Sequence, residues 1–205
     1  MGQGSLRKAE LKYTSFGRRF SDAERSFANH TVIGMHIRAG NNETGDFAKN
    51  NRGIQNMDQW MESMVGHLKQ LTVGNGKGAP FLLYLATDTP SMVHRLWIAL
   101  NGTMLVVELP QDRPAEGEGV LFGARGDVQS FDRQKCLHGW TDAVMDLMLL
   151  SYADIVVAAR PSSFVQTMPM MLSFGGDDKS ERNDKQKSYC EVSYNATAMN
   201  CYTVI

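Results

Sequence analysis

Apolar and polar positions alternate between two regimes along the chain, and together they predict strands joined by helices. Val32 to Ile37 is a short apolar run that ends in a polar tip, His36-Ile37-Arg38, and then opens into a loop rich in Gly and Asn from Asn41 to Asn56. From about Asn56 to Leu71 the apolar residues Met57, Trp60, Met61, Met64, Val65, Leu68 and Leu71 recur at helical spacing, so one face of a helix should meet the core. Phe81 to Ala86 is apolar without interruption, which suits a strand covered on both faces and hence a parallel sheet between helix layers. Thr89 and Pro90 then read as a helix cap and first turn. Met92, Val93, Leu96, Trp97 and Leu100 supply the apolar stripe of that helix, and Met104 to Leu109 a third strand.

Between Pro110 and Lys135 the pattern dissolves into a long irregular stretch containing Gly117, Gly119, Gly123 and Gly126. Helical spacing resumes near Trp140 and runs to Tyr152, with Ala143, Val144, Leu147, Leu150 and Ser151 expected inward. Ile155 to Ala159 reads as a fourth buried strand, followed by the turn Arg160-Pro161-Ser162-Ser163 and a helix from Phe164 to Ser173. Past Gly175 comes a charged, solvated stretch. Tyr189 to Val192 and Cys201 to Ile205 then suit a small hairpin, across which Cys190 and Cys201 can pair. Ahead of the first strand, Ser21 to Ala28 suits a short capped helix. Strand and helix in regular alternation imply an α/β fold with a Rossmann-like, doubly wound parallel sheet. The expected organisation is a lead-in over 1–30, a ligand-binding domain over 31–175, and a polar linker with a hairpin over 176–205.

Composition narrows the class. With 205 residues the chain fills one α/β domain, and 42% hydrophobic with 21% charged residues is globular. A formal charge of -1 argues against a nucleic-acid binder that works by neutralising phosphates. No apolar run is long enough to span a bilayer, and the first residues lack the apolar core of a signal peptide. Four N-x-T sequons, at Asn29, Asn42, Asn101 and Asn195, lean towards the secretory pathway, whereas the missing leader leaves a cytoplasmic location open.

The candidate chemistry lies at strand ends, because ligands of open α/β sheets bind outside the carboxyl ends of the strands. His36 and Arg38 follow the first strand, Ser162 and Ser163 follow the fourth, and Asp146 sits on the helix between. Arg38 can grip phosphate oxygens with two parallel hydrogen bonds, a helix start with hydroxyls can take another phosphate, and a carboxylate can accept two N–H groups from a guanine edge. The combination suits a nucleotide diphosphate. It is equally compatible, residue by residue, with a polar strand end and an ordinary serine cap. Glu43 and Asp46, in the loop just past Arg38, are the nearby carboxylates that can act as a general base. No glycine-rich dinucleotide turn, P-loop or metal-ligand spacing is present, which removes the main supports for dehydrogenase, kinase and metallohydrolase readings.

Three stretches, H-I-R-A-G-N-N-E-T-G-D, F-L-L-Y-L-A-T-D-T-P-S and D-L-M-L-L-S-Y-A-D-I-V-V-A-A-R-P-S-S-F, resemble, in order, the three peptide motifs of α1,6-fucosyltransferases, nodulation-factor fucosyltransferases and, more loosely, protein O-fucosyltransferases. The resemblance covers about Thr31 to Phe174. It implies the nucleotide-sugar-binding half of a GT-B fold and an inverting, metal-independent enzyme with no cofactor. Its donor would be GDP-fucose, its acceptor a glycan or protein hydroxyl, and its location the Golgi or secretory lumen. By position it implies that Arg38 meets the β-phosphate, that His36 and Asp146 contact the nucleotide, and that Ser162 and Ser163 lie by the diphosphate. Asp46 and Glu43 each match a basic carboxylate of one subgroup. Two departures stand out: Ala39 replaces a second basic residue, and the acceptor-binding half that precedes this region in the family is missing. The alternative is a sugar-nucleotide-binding module or truncated homologue without catalysis.

Overall fold

The computed structural model describes residues 27, 29–37, 57–73, 80–87, 90–101, 103–109, 133–159, 187–192 and 198–204. The strands are β1 (Thr31–Ile37), β2 (Phe81–Thr87), β3 (Leu105–Val107), β4 (Ile155–Ala159), β5 (Lys187–Val192) and β6 (Met199–Val204). The helices are α1 (Met57–Val73), α2 (Pro90–Leu100) and α3 (Arg133–Ser151). All six strands form one sheet in the order β3-β2-β1-β4-β5-β6. Every neighbouring pair is parallel except β5 with β6. The expected doubly wound α/β sheet is therefore the fold.

The near-continuous apolar strands are explained by two buried faces. Ile33, Met35 and Ile37 of β1 join Leu83 and Leu85 of β2 in one core with Trp60, Met64 and Leu68 of α1 and Met92, Leu96 and Leu100 of α2. The opposite face packs Val32, Leu82, Tyr84, Ala86, Val156 and Ala158 against Met145, Leu149 and Leu150 of α3. Fully buried side chains such as Met64 and Leu68 each contribute about 1.5–3 kcal/mol relative to exposure. Gly34 faces α3. A Cβ placed there would lie 2.9 Å from Ala153 Cβ and 3.0 Å from Leu150 Cδ2, so the bare backbone lets the end of α3 press against β1.

Polar closures fix the other ends. Asp154, just ahead of β4, accepts the Val32 N–H through Oδ2 at 2.8 Å, while its own N–H donates to Val32 O at 3.0 Å. Lys187 Nζ donates to Ser151 O at 3.0 Å, placing a cation on the last turn of α3, where the helix dipole favours one. On the outer surface Arg95 of α2 pairs with Asp58 of α1. Gly66 lies exposed within α1 and has open space where a Cβ would stand. Gly66→Ala should thus stabilise the protein by about 0.5–1 kcal/mol, read as a raised urea midpoint with unchanged slope.

Several expected details shift. Helix α3 begins at Arg133, inside the stretch expected to be irregular, because its first two turns are polar and carry no apolar period. Val144 is 48% exposed, and Met145, Asp146 and Leu149 are buried instead. Trp97 is 51% exposed and stacks on His94, so the stripe of α2 is narrower than its apolar residues imply. The third strand is trimmed to three residues. The hairpin forms with Cys190 opposite Cys201, disulfide-bonded, and β5 extends the main sheet along β4. The expected helices over Ser21 to Ala28 and Phe164 to Ser173 lie outside the described residues, apart from Phe27. Among the described residues no helix is long and apolar enough to cross a membrane.

Candidate functional site at the sheet switch point

Strand order places the site. After β1 the chain winds outward through β2 to β3, then returns across the sheet to β4 on the other side of β1. The direction of winding reverses between β1 and β4, and the carboxyl ends of strands at such a reversal are the place where open α/β sheets take their ligands. Strand β1 ends at Ile37 and β4 at Ala159. In the chain these ends lead directly to Arg38 and to Arg160-Pro161-Ser162-Ser163. Arg38, Glu43, Asp46, Ser162 and Ser163 lie outside the described residues. Of the residues singled out from sequence, the structure describes His36 and Asp146.

These two share one face of the sheet. Alternation along β1 turns Ile33, Met35 and Ile37 towards α1 and α2, and therefore turns Val32, Gly34 and His36 towards α3. His36 stands in register with Ala86 of β2 and Ala158 of β4. Two methyl side chains flank the imidazole, which leaves it room at the carboxyl end of the sheet while it remains only 8% exposed. Leu150 packs at the level of Gly34. Asp146 precedes it by four residues, about 6 Å back along the helix, and His36 lies two residues, about 6.6 Å, further along its strand. The helix runs against the strands, so both offsets point the same way, and the two groups occupy about the same level over the sheet.

Asp146 is 6% exposed, and its Oδ1 accepts the hydroxyl of Tyr84 at 2.5 Å. Tyr84 sits in the middle of β2, beside Gly34 in register, and its ring meets Phe27 edge-on with centroids 5.6 Å apart. Tyr84 is the residue that sequence patterning missed, being hidden in an apolar run. A signal existed, since a buried tyrosine hydroxyl has to find an acceptor. Among the described residues no cluster of three His, Cys, Asp or Glu side chains is placed to hold a metal ion.

Similarity to known proteins bears on this architecture. No family model matches the chain, and no curated protein matches it in sequence. Solved structures do match. One is NodZ α1,6-fucosyltransferase soaked with GDP-fucose, at 14% identity and a TM-score of 0.52, covering 92% of this chain and 48% of that one. Another is the fucosyltransferase NodZ from Bradyrhizobium, at 12% identity and a TM-score of 0.52, covering 93% and 47%. The fold is similar to that of about half of the NodZ chain. This chain accordingly spans about half the length of the NodZ structures it matches.

Proposed function

We propose that this chain is the donor-binding part of a GDP-fucose-dependent, inverting fucosyltransferase. The observation that carries the proposal is the switch point itself: β1 and β4 end side by side, the sequence continues from those two ends into the stretches that bear the diphosphate-binding residue types, and His36 and the buried Asp146 share one face of the sheet beside them. The NodZ fold supports the same assignment, and the NodZ structure soaked with GDP-fucose makes that nucleotide sugar the natural first ligand to test.

In this mechanism Arg38 grips the β-phosphate with its planar guanidinium, and the hydroxyls of Ser162 and Ser163 take further diphosphate oxygens. Asp146 accepts two N–H groups of guanine, and His36 borders the nucleotide. Glu43 or Asp46 removes the proton from the acceptor hydroxyl, on a glycan or a protein, as its oxygen attacks the anomeric carbon. The bond from that carbon to the diphosphate oxygen breaks in the same step, and GDP departs with the electron pair. Inversion follows from attack on the face opposite the leaving group. Arg38 binds the diphosphate more strongly as its charge builds, so it lowers the barrier as well as holding the donor. No metal or cofactor takes part in this scheme. A secretory or Golgi location is supported by the Cys190–Cys201 disulfide and the four sequons, since disulfides persist in oxidising compartments.

Calorimetry with GDP, UDP and NAD provides the test. GDP is expected to bind at least tenfold more tightly than UDP, while equal or tighter binding of UDP or NAD would remove the proposal. A second reading, donor binding without sugar transfer, is favoured by Ala39, which stands where the resembled enzymes carry a second basic residue. It predicts GDP affinity with neither transfer nor release of fucose from the donor.

A further inference from the structure

We infer that Tyr84 is a positioning residue for nucleobase selection, acting through Asp146; the inference rests on the assignment of Asp146 to the guanine edge. A carboxylate that reads two N–H groups at once must present both oxygens in the plane of the base, and rotation about the last side-chain bond of aspartate is otherwise soft. In this fold the plane is set from below. The Tyr84 hydroxyl donates to Oδ1 at 2.5 Å, and Phe27 braces the ring at an interplanar angle of 66°. Strand β2 holds Tyr84 at the level of Gly34, the position where α3 makes its close approach to β1. Sheet, helix and carboxylate are thereby fixed relative to one another. A carboxylate offers about four acceptor sites on two oxygens, so the phenol can occupy one of them without ending its capacity to take two donors from a base.

Burial makes the arrangement consequential. Both partners lie within the core facing α3, where a hydrogen bond to a charged acceptor is stronger than at the surface and an ill-placed carboxylate has little water to compensate it. Tyr84 does not reach the sugar or the diphosphate in this scheme. It selects the base and leaves the rest of the donor alone.

The test is a double-mutant cycle on the full chain, read as affinity for GDP and, in parallel, for UDP and inorganic pyrophosphate. Tyr84→Phe keeps the ring against Phe27 and removes the hydroxyl. GDP affinity is expected to fall about tenfold, with UDP and pyrophosphate affinity unchanged. Asp146→Asn is expected to lose the GDP preference as well, because an amide turns one donor towards the guanine donors. The double variant should bind GDP no more weakly than Asp146→Asn alone, as befits a residue that works only through the other. A Tyr84→Phe protein that keeps the wild-type preference for GDP over UDP overturns the inference, as does an equal loss for all three ligands or a double variant in which the two losses add. Should Tyr84→Phe fail to fold, retention of the GDP preference by Asp146→Asn overturns it independently. Wild-type protein with no GDP preference overturns the parent assignment together with this one, so the two failures are distinguishable.

Discussion

Gly34→Ala is expected to lower the thermal midpoint by about 4–12 °C, the equivalent of ~2–3 kcal/mol, although it adds a single methyl group. That methyl would stand 2.9 Å from Ala153 Cβ and 3.0 Å from Leu150 Cδ2. Leu150 has rotamers to give, but Ala153 has none, so either α3 or β1 has to move. Movement is costly because both elements are tied at the same end: Ala153 N–H donates to Leu150 O, and Asp154 is bonded to Val32 in both directions. A thermal scan decides the matter, and an unchanged midpoint would show that the close approach of helix and strand is not tight. The contrast with Gly66, where the same substitution should raise stability, keeps the effect from being a general property of glycine.

The second large effect concerns the ligand. Arg38→Ala should weaken GDP binding at least tenfold, about 1.4 kcal/mol or more, by deleting a charge-assisted contact to the diphosphate. Lysine at the same position should restore only part of the loss, since a point charge cannot make two parallel bonds to one phosphate. Calorimetry on the three proteins is the measurement, and an alanine variant within twofold of wild type would take Arg38 out of the site. The residue adjoins Ile37, the final residue of β1, whose side chain belongs to the core on the α1 side.

Sequence patterning succeeded where burial on two faces left a strong mark. Phe81 to Ala86 and Ile155 to Ala159 are apolar without a break, and they became β2 and β4 with hardly a shifted boundary. Pro90 opens α2 as its fixed backbone angle suggests. The phase of α3 was harder to read. In Val144-Met145-Asp146-Leu147-Met148-Leu149-Leu150 nearly every residue is apolar, so several faces compete for the core on hydrophobicity alone. The tie is broken by Tyr84, a residue 62 positions away, whose hydroxyl gives Asp146 a reason to face inward and thereby turns Val144 out. Likewise, no local signal announces that β5 will lie parallel to β4, because that pairing spans the polar stretch 176–186 and depends on contacts such as Lys187 with Ser151. The doubly wound parallel sheet was legible because the alternation of strand and helix is a property of the whole chain. The tyrosine that steadies the carboxylate was not, because partnership between distant side chains leaves no period to detect.

The place of β5 has a further consequence. Strand β4 is buried and apolar, with Val156 and Val157 wholly covered, and it carries none of the charges or prolines that guard an open margin. Among the described residues its protection on that side comes from the hairpin, whose outer member is mostly solvent-facing and is locked in register by the Cys190–Cys201 bridge. During synthesis this sticky ribbon stays uncovered until the hairpin Lys187–Val204 emerges, so the interval between completion of β4 and emergence of that hairpin is when a nascent chain would be most prone to self-association.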